Sequence, residues 1–182
     1  MRETPNFYRI TSRGKKPEPR KQGEYFPLRE KEVKDLMDNF PEKVERPFRI
    51  LNSEYAIHMG KDTPPCGYVD YRIGFQSDLY LLEVKAGDTF SVIWEASKVL
   101  AYVGVANRFH ADSHRTYLPA VLIPQSTVDK DTRIFQALDI LSITLFTYSC
   151  DDWQEKLTII FQESTRKIEK RCLELTGKRK MA

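Results

Sequence analysis

The stretch GYVDYRIGFQSDLYLLEVKAG, from Gly67 to Gly87, decides the fold of this chain. Branched and aromatic residues fill two runs within it, 68–75 and 79–85, and the polar turn formers of residues 76–78 separate them. Two apolar runs joined by a short polar turn predict a pair of antiparallel β-strands. We therefore expect a β-hairpin here, with a larger sheet built around it.

Charged side chains stand out in these apolar strands. Because side chains alternate across a strand, Glu83 and Lys85 share one face, and Asp70 shares the face of Arg72 on the first strand. If the two polar faces coincide, Asp70, Glu83 and Lys85 meet. Burying two carboxylates is costly unless a cation such as Mg²⁺ or Mn²⁺ neutralises them. The alternative is an exposed hairpin with a surface Glu–Lys pair, worth less than about 1 kcal/mol.

The segments VDY and LYLLEVK, with Asp70 thirteen positions before Glu83, carry a family resemblance. They are similar to the bipartite signature of the PD-(D/E)XK nuclease superfamily, most closely its archaeal Holliday-junction-resolvase and RecB-like branch. The resemblance implies that Asp70 and Glu83 bind Mg²⁺ or Mn²⁺, with the Val84 carbonyl as a further ligand. It also implies that Lys85 orients the attacking water and stabilises charge on the phosphate, leaving a 5′-phosphate and a 3′-hydroxyl.

A first helix is predicted over residues 27–39, between two prolines. Its apolar stripe, Val33, Leu36 and Met37, places Glu30 near the inward edge. This segment resembles the first helix of the archaeal resolvases, whose leading glutamate completes the metal site, so Glu30 is a further candidate. The alternative is a first-turn glutamate that only favours the helix dipole, worth about 0.3–1 kcal/mol.

A second helix is predicted over residues 91–107, with apolar residues at helical spacing on one face. On its other side, Lys98-Val-Leu-Ala-Tyr102 resembles the Gln-x-x-x-Tyr element of RecB-like nucleases, with lysine in place of glutamine. The resemblance implies that Lys98 and Tyr102 contact nucleic acid. The alternative is an ordinary solvated helix face.

Residues 1–24 form a basic segment with seven Lys or Arg against three Glu, interrupted by glycine and proline. We predict a flexible arm in which Arg13, Lys15 and Lys16 contact DNA phosphates, and the alternative is a solvated terminus. Residues 25–182 are predicted to form a single nuclease-like domain.

Composition narrows the class of protein. The chain has 182 residues, of which 41% are hydrophobic and 30% charged, and its net charge is +3. These values exclude a wholly disordered chain and are compatible with nucleic-acid binding. No apolar run approaches the roughly 18–20 residues that cross a bilayer, and the N-terminus lacks a signal-peptide core. We therefore expect a cytoplasmic protein with no membrane partner.

Other metal-binding patterns are weak. The three cysteines, Cys66, Cys150 and Cys172, lack any Cys-x-x-Cys spacing, which supports neither a disulfide framework nor a four-cysteine metal site. His110 and His114 are four residues apart, as for ligands on one helix face, but they lie in a polar segment predicted to be a loop.

The predicted fold is α/β, with a mixed sheet flanked by helices. A restriction-endonuclease-like α-β-β-β-α-β core covers about residues 27–123, and a C-terminal α-β-α elaboration covers 124–182. The remaining predicted elements are a strand at 47–51, an extra loop at 52–65, a strand at 116–123, a helix at 129–138, a strand at 141–148 and a long helix at 151–175.

The sequence therefore predicts a metal-dependent DNA endo- or exonuclease that hydrolyses phosphodiester bonds. The alternative from another class is a non-catalytic DNA-binding module that retains the fold. RNA stays open as a target, and so does the preferred DNA structure, because one fold serves many substrates. A homodimer would suit the cutting of two strands.

Overall fold

The structure of the protein, a computed structural model, describes residues 28–86, 89–109, 116–151 and 156–163. Within these ranges, seven strands form one sheet accompanied by four α-helices and a 3-10 turn. The strands are β1 (Val44–Glu45), β2 (Arg49–His58), β3 (Pro65–Phe75), β4 (Asp78–Val84), β5 (Tyr117–Pro124), β6 (Thr144–Asp151) and β7 (Lys156–Gln162). The helices are α1 (Glu30–Asn39), α2 (Thr89–Phe109), α3 (Gln125–Lys130) and α4 (Arg133–Ile140), and the 3-10 turn is Pro41–Lys43.

The sheet is mixed, with the order β1-β7-β6-β5-β4-β3-β2. Strands β2, β3 and β4 form an antiparallel meander, and β4, β5 and β6 run parallel. Strand β7 is antiparallel to β6 and parallel to β1. Helix α2 provides the crossover that the parallel neighbours β4 and β5 require. The carboxyl ends of β4, β5 and β6 consequently lie at the same end of the sheet.

Alternating side chains of the central strands bury both faces of the sheet. On β4, Tyr80, Leu82 and Val84 pack in the cluster beneath α1, whereas Leu79 and Leu81 pack beneath α2. A strand covered on both faces needs apolar residues at nearly every position, which explains the run LYLLEV. Each such leucine contributes about 1.5–3 kcal/mol through burial.

The predicted α/β fold with a mixed sheet flanked by helices is confirmed, and the order α1-β2-β3-β4-α2-β5 is consistent with a restriction-endonuclease-like core. The hairpin is also confirmed, with Phe75 paired to Asp78. Gln76 in its turn has a φ of 53°, in the left-handed region that tight turns use. Among the helices described, none is both long and apolar enough to cross a bilayer.

Element boundaries differ modestly from the predicted ones. Helix α1 begins at Glu30, and residue 27, the predicted start, lies outside the described residues. Helix α2 extends the predicted range 91–107 by two residues at each end. The helix predicted over 129–138 is two short helices, α3 and α4.

The loop predicted over residues 52–65 is wrong. The strand predicted at 47–51 continues as β2 to its end at His58, where Tyr55 pairs with Val69, and only residues 59–64 connect it to β3. The polar Asn-Ser-Glu segment concealed the strand, because β2 lies at the edge of the sheet and these residues are exposed there. Polar side chains are expected on an edge strand.

The long helix predicted over residues 151–175 is contradicted at 156–162, which form β7 and pair with β6. Leu157 and Ile159 are buried while Ile160 is half exposed, so burial follows the two-residue period of a strand. The branched and aromatic sequence Thr-Ile-Ile-Phe favours that conformation. The predicted C-terminal α-β-α order is therefore corrected to α3-α4-β6-β7, and residues 164–175 lie outside the described part of the chain.

Candidate catalytic site

The candidate site lies where β3 and β4 stop pairing. Their ladder ends at the pair Tyr71–Leu82, whereas β4 continues beside β5 to Val84. The N–H of Val84 is therefore free to take a partner other than the β3 backbone. It donates a hydrogen bond of 2.8 Å to Oδ2 of Asp70. Because the two strands have separated here, the Asp70 side chain accepts the hydrogen bond that a β3 backbone carbonyl would accept in a continuing ladder.

Asp70 lies at a break in the alternation of β3. Val69 packs beneath α2, whereas Tyr71, two residues later, packs beneath α1. Regular alternation would place both side chains on one face. Across the ladder, Glu54 of the edge strand has a φ of 48°, which is uncommon for a residue other than glycine. At this break the Asp70 carboxylate contacts Lys34 of α1 and the N–H of Val84, whereas Arg72 lies over the rings of Tyr55 and Tyr117.

Lys85 connects the two glutamates of the site. Its Nζ lies 3.4 Å from Oε2 of Glu83 and 3.3 Å from both carboxylate oxygens of Glu30. The negative charge of Asp70 also acts on the Glu83 carboxyl group. The structure therefore brings together the four predicted side chains, Asp70, Glu83, Lys85 and Glu30, from three different elements.

The backbone fixes Lys85 at the end of β4. Its N–H donates a hydrogen bond of 2.9 Å to the Leu122 carbonyl on β5. The next position of β5 toward Lys85 is Pro124, which has no N–H to continue the ladder. The chain consequently leaves the sheet directly after the lysine.

The N-terminus of α1 is held so that Glu30 faces this lysine. Tyr148 on β6 is buried, and its hydroxyl donates a hydrogen bond of 2.8 Å to the Leu28 carbonyl. Burial raises the pKa of Tyr148, so the phenol stays a neutral donor. The Arg29 N–H bonds Oε2 of Glu32 at 2.7 Å, as in a helix cap. Glu32 thus serves the local cap of α1.

Protonation in the site follows from burial and charge. Burial raises the pKa of Glu83 to about 8, the negative charge of Asp70 adds to the rise, and Lys85 opposes it. Burial lowers the pKa of Lys85, but the charges of Glu83, Glu30 and Asp70 outweigh that effect and raise it. At neutral pH Lys85 is therefore an ammonium that cannot accept a proton, and Glu83 retains its proton in the absence of a divalent cation.

This protonation predicts a pH-dependent effect of Glu83→Gln on stability. The folded pKa of about 8 exceeds the unfolded value of about 4.3, so wild-type stability falls as pH rises between them. Glutamine cannot ionise, so the free energy of unfolding of the variant does not fall with pH in this way. In urea unfolding with EDTA, the variant should gain about 4 kcal/mol on wild type between pH 5 and pH 8.5. The exposed substitution Glu42→Gln should track wild type, and parallel curves for Glu83→Gln would contradict the prediction.

The donors at the site suit a hard divalent cation. In the ranges that the structure describes, no group of three or more His, Cys, Asp or Glu is arranged to hold a metal ion. The available ligands are the carboxylates of Asp70 and Glu83, plus the Val84 carbonyl, which points to the same side as its N–H. Mg²⁺ retains several waters and is commonly bound through one or two carboxylates, so these residues fit it.

The predicted nucleic-acid contacts lie elsewhere on the chain. Nζ of Lys98 is 2.7 Å from Oε1 of Glu95 on the exposed side of α2. The Tyr102 ring packs on β3 at Gly67, where a Cβ would come within 2.6 Å of the ring. Contact of Lys98 and Tyr102 with nucleic acid stays a prediction. Arg13, Lys15, Lys16, His110 and His114 lie outside the described residues.

Lys34 also belongs to the site, although no sequence motif marks it. Its Nζ lies 2.6 Å from Oδ1 of Asp70. Burial lowers the pKa of Lys34, but the hydrogen bond and negative charge of Asp70 outweigh it, so the pKa is raised. The sequence contains one indication of this position. Lys34 follows Glu30 by four residues, so the two side chains lie on the same face of α1.

Two solved structures are similar to this chain. One is a crystal structure of an XisH family protein from Nostoc punctiforme, at 14% identity and a TM-score of 0.44, covering 72% of this chain and 94% of that protein. The other is Pyrococcus furiosus SfsA in complex with Ca²⁺, at 11% identity and a TM-score of 0.29, covering 72% of this chain and 60% of that protein. Likeness this distant says nothing about the chemistry of the site. No protein-family model matches the sequence, and no curated protein is significantly similar to it.

Proposed function

We propose that this protein is a metal-dependent nuclease that hydrolyses phosphodiester bonds in DNA. One observation carries the proposal: the buried carboxyl group of Glu83 and the largely buried carboxylate of Asp70 converge at the end of a strand beside the ammonium of Lys85. An ion pair that serves only the fold needs one acid and one base. It does not need a further buried acid, such as Glu83, that keeps its proton near pH 7. Perturbed groups of this kind are concentrated at functional sites.

Asp70 and Glu83 would hold Mg²⁺ or Mn²⁺ together with the Val84 carbonyl. A cation held there would polarise a phosphoryl oxygen and acidify a bound water. Glu83 gives up its proton when it becomes a ligand, so loading of the site would release a proton and strengthen with pH. The break in β3 supports this role, because the Asp70 carboxylate accepts a hydrogen bond from the N–H of Val84, the residue next to Glu83 at the end of β4.

Lys85 would act as a fixed positive charge. The carboxylates of Glu83 and Glu30 beside it favour its charged form, so its task would be to orient the attacking water and stabilise charge on the phosphate. Glu30, on the other side of Lys85, would complete the site or help to accept the proton of the water. The products would be a 5′-phosphate and a 3′-hydroxyl.

A second candidate function is DNA binding without cleavage. The observation that favours it is the ion pair between Lys34 and Asp70, because a lysine already neutralises one of the two acids. In a protein of this fold that no longer binds a metal, the Asp70 carboxylate would need another positive charge beside it, and Lys34 supplies one. The two functions differ in one measurable property, which is the response of the protein to divalent cations.

The test is cleavage of a panel of end-labelled DNAs: a four-way junction, a flap, a plain duplex and a single strand. Wild-type protein should cut at least one of them with Mg²⁺ or Mn²⁺ and none with EDTA, and a labelled single-stranded RNA tests the target class. Mobility shifts on the same DNAs measure binding separately. Binding without cleavage in every lane would replace the nuclease by the binding module, and neither binding nor cleavage would exclude both.

A further inference from the structure

We propose that Lys34 is an internal counter-ion that competes with a divalent cation for Asp70, so that the site accepts metal only when this ion pair opens. The inference rests on the proposed function, since it assigns a mode of regulation to the same site. Lys34 does not belong to the set of Asp70, Glu83 and Lys85 that the sequence pattern identifies. Its consequence is a metal affinity weaker than that of the same carboxylates without Lys34.

The geometry of Asp70 supports this competition. Oδ2 accepts the hydrogen bond from the Val84 N–H at 2.8 Å, which anchors the carboxylate to β4. Oδ1 is the remaining oxygen, and Lys34 Nζ lies 2.6 Å from it. The Asp70 side chain is only 12% exposed, so little room is left for another cation at Oδ1 while Lys34 stays.

The charges of the site lead to the same conclusion. The carboxylates of Asp70 and Glu30 are already offset by two ammonium groups, those of Lys34 and Lys85. A divalent cation at Asp70 would lie within a few ångströms of the Lys34 ammonium in a poorly solvated place. Like charges at that separation repel strongly. Metal and the Lys34–Asp70 contact therefore oppose each other, and each must weaken the other by the same factor.

Of the two lysines, Lys34 is the one that can leave. Lys85 is 18% exposed and lies between the carboxylates of Glu83 and Glu30. The Lys34 side chain is 26% exposed and extends from the surface of α1, so its ammonium can swing into water or toward a phosphate. Its backbone can stay in place during this change, since the Lys34 carbonyl accepts a hydrogen bond of 3.4 Å from the Tyr71 hydroxyl.

The experiment measures binding of Mn²⁺ alone, by electron paramagnetic resonance of the free ion, to full-length wild type and variants. Lys34→Gln should lower the dissociation constant by about tenfold. Lys34→Arg, which keeps the charge, and Lys31→Gln, which removes an exposed lysine from the same helix, should both stay within about twofold of wild type. Circular dichroism confirms folding, and Lys34→Met replaces Lys34→Gln if the latter does not fold.

The outcomes separate this inference from the proposed function. Tighter binding by Lys34→Gln, or binding by the variant where wild type shows none, supports the competition. Unchanged or weaker binding by the variant overturns it, and the metal site survives because wild type still binds. If neither protein binds Mn²⁺, Lys34 is not what keeps the metal out, and the inference and the metal-dependent function fail together.

Discussion

Glu83→Gln is expected to lower the rate of Mg²⁺-dependent DNA cleavage by about 10³-fold, equivalent to about 4 kcal/mol of transition-state stabilisation. Glutamine keeps the size of the side chain and, like a protonated carboxyl group, can donate a hydrogen bond. It cannot supply the negative oxygen that a divalent cation needs. The protein should stay folded, because the wild-type carboxyl is already largely neutral at pH 7. The measurement is the single-turnover rate on the best DNA of the panel.

The matched control is Glu42→Gln, which makes the same chemical change at an exposed position of the 3-10 turn. It should cleave at the wild-type rate. A Glu83→Gln protein that cleaves within about tenfold of wild type would remove Glu83 from the metal site, since loss of even an outer-shell partner commonly costs 10–100-fold. Mn²⁺ titration of the same variant shows whether the loss lies in metal binding.

Phe146→Ala is expected to destabilise the protein by about 3–5 kcal/mol, the largest stability loss that we predict. Phe146 on β6 is completely buried in the cluster beneath α1. Its ring lies 5.1 Å from that of Phe48, 5.3 Å from Phe75, 5.7 Å from Phe161 and 6.5 Å from Tyr80, mostly edge to face. Alanine would leave a cavity bounded by four rings that cannot all collapse into it.

Urea unfolding at pH 7 followed by circular dichroism measures this loss. Phe109→Ala is the control, because Phe109 is 48% exposed at the end of α2 and the same atoms are removed. It should cost less than about 1 kcal/mol. A loss for Phe146→Ala as small as that of Phe109→Ala would mean that the aromatic cluster is not part of a packed core.

Local sequence determined the hairpin and the candidate acids. The run LYLLEV predicts a buried strand because every position is apolar up to Glu83, and the polar turn before it fixes the pairing of Phe75 with Asp78. Alternation then places Glu83 and Lys85 on one face without further information. The position of Glu30 also followed from local pattern, because helical spacing relates it directly to the buried stripe of α1.

The sequence pattern predicted the wrong secondary structure where pairing with a neighbouring strand outweighed the local conformational preference. The segment 156–162 has apolar spacing that suits a helix, but pairing with β6 makes it a strand. The polar residues 52–54 belong to β2 because this segment pairs with β3. Their side chains are exposed to water at the edge of the sheet. Both segments depend on hydrogen bonds to a neighbouring strand, which periodicity does not report.

The amino-acid sequence by itself determined the fold class, the hairpin and the identity of Asp70, Glu83, Lys85 and Glu30 as candidates. Only the tertiary structure decided the direction of Asp70 and the presence of Lys34. The direction of Asp70 comes from the break in β3 and the open N–H of Val84, which exists because β3 stops pairing with β4 at Leu82. The ion pair joins residues 36 positions apart, and packing of α1 on the sheet creates it.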